Sequence, residues 1–195
     1  MSTTGTMSAS DTVSPVDTGL SGLVESVRGT VRTAASATAT ADAVAEDLAR
    51  YLAECHPLPR RYRRCARDHY TQHVIHTEPD GSFSVVALVW LPGQRTPVHD
   101  HVAWCVSGVY EGEEHEERFE LRGSGDASRL VPIGESVQPR GAVSALAPPG
   151  DIHRVSNSSD SLTVSLHVYG ADVAARGSSV RRTYSRPVAP ARPGS

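Results

Sequence analysis

The sequence contains no run of about 18 apolar residues, so it supplies no helix that could span a bilayer. Its first residues, MSTTGTMSASDTVSPVDT, lack the basic start and apolar core of a secretory signal. Cysteine is scarce: Cys55, Cys65 and Cys105 form an odd set, which argues against a disulfide scaffold and for a reducing cytoplasm. A dominant sign of charge is missing too, the formal net charge being −3. Basic residues are scattered apart from Arg60, Arg61, Arg63, Arg64 and Arg67, which lie beside Tyr62 and Tyr70. Nucleic-acid binding asks for a broader basic surface, so this cluster reads as a solvated arginine face near a helix end. No repeat of solenoid type is present. These exclusions leave a soluble cytoplasmic protein with no membrane or nucleic-acid partner as the expectation.

Of the 195 residues, 1–18 are small and polar without apolar periodicity and read as a disordered segment. Residues 186–195, RPVAPARPGS, are proline-rich with nothing to pack and read as a disordered tail. The roughly 160 residues between them suit one domain over 19–185. Its expected parts are a helical stretch over about 20–67 and a β-barrel over about 68–185. Leu20, Leu23, Val24, Val27 and Val31 recur at helical spacing and predict a helix over about 20–34. In ADAVAEDLARYLAEC, Val44, Leu48, Leu52 and Cys55 share one face of a second helix, which the prolines of HPLPRRY end.

From residue 70 the texture changes to short valine-rich runs: YTQHVIHT, SFSVVALVWL, VAWCVSGVY, EEHEERFEL, AVSALA, DIHRVSN and SLTVSLHVYG. Turn signals separate them, namely EPDGS, LPGQRTP, RGSGDAS, VPIGES, PPGD and NSSDS. Helices followed by seven or more strands predict a mainly β fold, a small barrel with an N-terminal helical cap.

The stretch PVHDHVAWC carries the first chemical signal. Strand alternation points His99 and His101 to one face and Asp100 to the other, so a metal can use both imidazoles at once. Gly93 precedes them in a G-x5-H-x-H pattern, and PPGDIHRVSN places Pro148, Gly150, His153 and Asn157 at P-x-G-x2-H-x3-N spacing. These resemble the two signature motifs of the cupin superfamily, a jelly-roll or double-stranded β-helix barrel that carries its metal inside. The resemblance implies His99, His101 and His153 as ligands. Gly112 fits the family's later glycine, whereas the usual glutamate position falls on Cys105. That cysteine is open to several readings: a soft thiolate ligand, a small buried hydrophobe between Trp104 and Val106, or a partner for a tyrosine.

A narrower resemblance covers about Tyr70 to Asp172. YTQHVIH, FSVVALVWLPGQRTPVHDHVAWCVSGVYEGEE, DIHRVSN and SLTVSLHVYGAD are similar to the thiol dioxygenase branch of the cupins, which includes cysteine dioxygenase and 3-mercaptopropionate dioxygenase. The resemblance implies a non-haem Fe(II) centre held by three histidines without a carboxylate. It also implies addition of both atoms of O2 to the sulfur of a small thiol carboxylate, 3-mercaptopropionate or L-cysteine, to give a sulfinate. Three neutral imidazoles leave the ion its full charge, which favours an anionic thiolate.

In SLHVY, Ser165, His167 and Tyr169 alternate onto one strand face. Plain alternation explains this, while the resemblance identifies the three as a hydroxyl–imidazole–phenol relay at the iron. It likewise implies a thioether between Cys105 and Tyr169, as in the animal enzymes, with a free buried thiol as the alternative. Gln72 stands where mercaptopropionate enzymes place glutamine, and it is expected to contact the substrate carboxylate. An amide brings no charge, so a cation among Arg176, Arg181 and Arg182 is expected nearby, with Arg182 the candidate. His56, His69, His73, His76 and His115 are not assigned to the metal, and His115 is expected on a solvated edge. Trp104 is read as lying near the mouth of the site or in the core. Competing functions are a non-catalytic metal- or ligand-binding cupin, a sensor or store, and a zinc-dependent enzyme. A monomer or small homo-oligomer is expected.

Overall fold

The computed structural model describes residues 15–186 and residue 188. The chain opens with two helices, α1 (Pro15–Thr33) and α2 (Ala37–Ala53), and a 3-10 turn at Arg60–Arg63. Seven strands follow: β1 (Thr71–Thr77), β2 (Ser84–Trp90), β3 (His99–His101), β4 (Cys105–Glu111), β5 (Glu113–Arg122), β6 (Arg129–Pro139) and β7 (Val143–Leu146). After these come β8 (His153–Ser156), β9 (Thr163–Tyr169), a single helical turn α3 (Val173–Arg176) and β10 (Val180–Thr183).

Helix α1 begins earlier than its apolar stripe, so residues 15–18 are helical rather than part of a disordered segment. Proline fits the first helical position because its missing N–H has no partner to lose there. The remainder of that expected segment, and of the expected tail, lies outside the described residues. Ser36 caps α2 by accepting a hydrogen bond from the Ala39 N–H at 3.2 Å.

Two five-stranded antiparallel sheets form the barrel, in the orders β1-β2-β9-β4-β7 and β10-β3-β8-β5-β6. This is the expected cupin double-stranded β-helix with a helical cap. Every residue of β2 and of β9 is buried, because both faces of the first sheet are covered. Val85, Ala87, Val89, Val106, Val164, Leu166 and Val168 face Val27, Val44, Leu48 and Leu52 of the two helices. The alternate residues Val86, Leu88, Trp90, Cys105 and Tyr169 line the barrel interior with Val155.

Two glycines allow the close approaches. A Cβ on Gly108 would stand 2.7 Å from Leu52 Cδ1 and 2.8 Å from Leu48 Cδ2, so α2 seats on β4 only over a bare backbone. Gly112 has φ +78° and would meet Thr163 Oγ1 at 2.5 Å.

One expected turn is a strand instead. VPIGES lies inside β6, where the register shifts between Arg118 and Phe119 as they face Gly134 and Pro132. β6 pairs only with β5 in its sheet, and an edge strand tolerates proline and glycine through such a bulge.

Candidate active site

The barrel brings His99 and His101 of β3 beside His153 of β8, with His99 and His153 directly paired across the strands. One ligand-capable atom from each of the three lies within 4.8 Å of the others. The backs of the rings are all engaged. His99 Nδ1 lies 3.0 Å from the Pro97 carbonyl, His101 Nδ1 3.1 Å from Asp151 Oδ2, and His153 Nδ1 2.8 Å from Glu116 Oε1. Those acceptors hold the proton on Nδ1 and leave each Nε2 free to donate to an ion. His153 Nε2 is buried without a hydrogen-bond partner, which leaves its lone pair free for an ion.

Electrostatics favour the neutral forms of His99 and His153. Burial, then the neighbouring His153 and His101, depress His99 to about 3. Burial also lowers His153, outweighing the hydrogen bond to Glu116 that favours its charged form. Burial alone would push Glu116 and Asp151 up, but their hydrogen bonds to His153 and His101 more than offset it, so both carboxyls stay ionised behind the rings. The donor set of three imidazoles fits a divalent transition metal.

Beside the cluster, β9 presents Ser165, His167 and Tyr169 inward. Ser165 Oγ lies 3.0 Å from His167 Nε2, and Tyr169 Oη 3.2 Å from His167 Nδ1. Tyr169 also packs against His101, ring centroids 5.9 Å apart. The cavity over the three histidines has a volume of about 20 Å³ and is walled by Trp90, Leu88, Val155 and Tyr70. Tyr70 stacks on Trp90 at 4.5 Å. Tyr70 and Gln72 also line an open depression of about 520 Å³ outside it, so they stand at the mouth.

The family model for cysteine dioxygenase type I matches residues 7–175. The chain belongs to the cysteine dioxygenase type I family. The match reaches beyond the barrel motifs into the N-terminal helices. Cysteine dioxygenase type 1 of Danio rerio is 29% identical over 102 residues, 51% of this chain and 50% of that protein. The chain thus spans about half the length of this curated relative. Among solved structures, a protein of Klebsiella pneumoniae with a double-stranded β-helix domain is similar at TM-score 0.45 and 19% identity, over 58% of this chain and 86% of that one. A Cupin 2 conserved barrel domain protein of Salinispora arenicola gives TM-score 0.39 and 21% identity, over 58% and 84%.

Within this family member, the expected site residues divide. His99, His101, His153, Gln72, His167 and Tyr169 all line the cavity. Ser165 lies behind it, bonded to His167. Cys105 stands directly across from Tyr169 in the β4–β9 pair, its Sγ 3.9 Å from His167 Nδ1. Arg182 is not brought to the cavity. It stands opposite Asp100 in the β10–β3 pair, and its guanidinium bonds that carboxylate, on the face of β3 turned away from the metal-facing histidines. Tyr184 donates to the same oxygen at 2.9 Å. Trp104 is buried with the helix-facing core.

Three carboxylates escaped the sequence reading. Asp151 and Glu116 hydrogen-bond His101 and His153, and Glu114 is buried beside His167. The run EEHEER reads as a solvated edge, yet β5 lies between β8 and β6, and its alternation turns Glu114 and Glu116 inward. The period-two spacing of those acids was the available signal.

Proposed function

We propose that this chain is a non-haem Fe(II) thiol dioxygenase that adds both atoms of O2 to the sulfur of a small thiol carboxylate and releases the sulfinate. The observation that carries the reading is the three-imidazole cluster, each ring held from behind and, among the described residues, with no carboxylate in the ligand group. Iron held by His99, His101 and His153 would supply the Lewis acid that favours the thiolate and the redox centre for O2. The atoms and electrons balance without a further reductant, since the sulfur gives up four electrons on going from thiol to sulfinate.

The protein's own groups provide orientation. Tyr169 holds a hydroxyl at the cavity, kept in place through His167 and Ser165. Gln72 offers amide hydrogens to the substrate carboxylate at the mouth. Leu88, Trp90, Val155 and Tyr70 keep water from the reacting sulfur. No arginine or lysine lines the cavity among the described residues, so recognition of the carboxylate rests on neutral donors. No aspartate or glutamate lines it either among the described residues, so the ammonium of L-cysteine would find no counter-charge, which favours 3-mercaptopropionate. Cys105 and Tyr169 are sited for the thioether that the family resemblance implies, and a mass deficit of two hydrogens in the joined peptides would show it.

A single folded domain, a cytoplasmic location and a monomer or small homo-oligomer belong to the same proposal. The test is O2 uptake by the iron-loaded protein with 3-mercaptopropionate and L-cysteine offered separately, and the product identified by mass. Sulfinate formed faster from 3-mercaptopropionate is expected. Sulfinate only from cysteine would overturn the substrate assignment, and no uptake with either would leave a zinc enzyme or a non-catalytic metal-binding barrel.

A further inference from the structure

Glu114 takes no part in holding the histidine cluster, yet it is only 3% exposed inside the barrel. Its Oε1 is buried without a hydrogen-bond partner, 4.0 Å from His167 Nε2. Ser165 and Trp90 are its polar neighbours and favour its charged form, and Trp90 Nε1 donates to Ser165 Oγ at 3.3 Å. The titratable groups that face or influence it are His167 and Tyr169 of β9, Glu116 of its own strand and Cys105 of β4. None is a fixed cation. Burial therefore drives the Glu114 carboxyl up, and Glu116 adds to the effect, to about 7 in spite of the opposing influence of Ser165 and Trp90.

Every atom along the line from Glu114 to Tyr169 can face either way. Ser165 has one proton to give, and His167 has one proton shared between two nitrogens. His167 itself stays neutral, depressed to about 3 by burial and by the three cluster histidines. When Glu114 is ionised, Ser165 turns its proton to the carboxylate and accepts from His167 Nε2–H. His167 Nδ1 must then accept from Tyr169, whose oxygen is left as an acceptor toward the cavity. When Glu114 is protonated, Ser165 is free to donate to His167 Nε2. The imidazole proton then sits on Nδ1 and is donated to Tyr169, whose own proton turns toward the cavity.

We propose that Glu114 is a positioning residue that sets the direction of the Ser165–His167–Tyr169 chain, and so decides whether Tyr169 offers the cavity a proton or a lone pair. Its catalytic consequence rests on the thiol dioxygenase reading, but the switch itself does not.

The experiment uses the full metal-free chain labelled with 15N-histidine. Nitrogen shifts report which ring nitrogen carries the proton, with His167 assigned by its loss in His167→Gln. Between about pH 5.5 and 8.5, the His167 proton is expected to move from Nδ1 to Nε2 as Glu114 ionises. In Glu114→Gln the tautomer should not respond to pH over that interval. A wild-type tautomer that stays fixed overturns the proposal, as does the same pH transition persisting in Glu114→Gln. Should that variant fold poorly, infrared spectra of the wild type decide alone. A buried carboxylic-acid band that fades together with the tautomer change supports the switch, and its absence at the acid end overturns it. A switching His167 in a protein that shows no thiol-dependent O2 uptake would refute the function and leave this inference standing.

Discussion

Replacing Glu116 by alanine isolates the work done behind the metal-facing cluster. Glu116 Oε1 accepts from His153 Nδ1 at 2.8 Å, and each side chain is 6% exposed. Without that acceptor the His153 proton is no longer confined to Nδ1. A neutral ring with its proton on Nε2 offers no lone pair to an ion, and the ring loses a rotational anchor as well. Loss of such an outer partner typically costs about 10–100-fold in metal affinity, or about 1.4–2.7 kcal/mol. Glu116 also takes Arg118 at 3.4 Å and Ser144 at 3.3 Å on its other oxygen, but Arg118 is half-exposed and turns to water when released. The assay is competition for Fe(II) against a chelator of known strength, with melting of the metal-free proteins followed in parallel. Glu117→Ala is the control, because Glu117 faces the other way and pairs with Arg154 at 2.6 Å. Wild-type affinity in Glu116→Ala would refute the reasoning. Equal losses in both variants would assign the effect to general damage of β5 instead.

His153→Ala is expected to abolish iron binding, and stoichiometric iron with full activity in that variant would contradict the three-histidine site. Tyr169→Phe should keep its iron while turnover slows, since only the hydroxyl at 3.2 Å from His167 is lost; an unchanged rate would remove the relay from the reaction. Leu48→Ala empties a fully buried place between α2 and the first sheet and should cost about 2–5 kcal/mol in denaturant unfolding, with the metal site intact in the folded protein. Glu78, bonded first by Arg28 of α1 and then by His76, is held down to about 2. A depressed carboxyl contributes stability that is complete above its ordinary value and is lost as pH falls toward 2. The advantage of wild type over Glu78→Gln should therefore vanish across that acid window, and a gap that stays constant to the acid end would count against this latch.

The sequence made the inner lining legible wherever alternation carried it. The facing of S-L-H-V-Y and H-D-H could be read because a strand has only two faces, and Leu166, Val168 and Asp100 between the inward residues take the other one. Helix α2 was readable from Val44, Leu48 and Leu52 for the same geometric reason at a longer period. What failed were features fixed by pairing at a distance. Arg182 looked available until β10 folded back on β3 and set it opposite Asp100, 82 residues earlier. VPIGES carried turn residues, but an edge strand with a bulge accommodates them. Glu114 and Glu116 were hidden by composition: acids are seldom buried unless a partner waits, and Glu116's partner, His153, lies 37 residues on.

The position of those acids also explains the cysteine that replaces the usual carboxylate of such barrels. Glu116 and Asp151 reach the imidazoles from behind, so under the proposed function they would fix the rings without entering an ion's coordination sphere. A carboxylate at position 105 would face inward and cancel part of an ion's charge, weakening its pull on a thiolate. Cys105 does not supply that negative charge. Burial, reinforced by Glu116, pushes its thiol well above the ordinary range, so it remains protonated. It also lies outside the three-histidine group, its sulfur turned to His167 and Tyr169. That geometry gives the thiolate-ligand reading no support, and under the proposed function an incoming thiolate would meet an ion held by three imidazoles alone. A Cys105→Glu substitution inverts this arrangement: it should retain or raise affinity for a divalent metal while weakening binding of the thiol. Thiol affinity unchanged in that variant would mean that the vacant charge at position 105 has no part in substrate recognition.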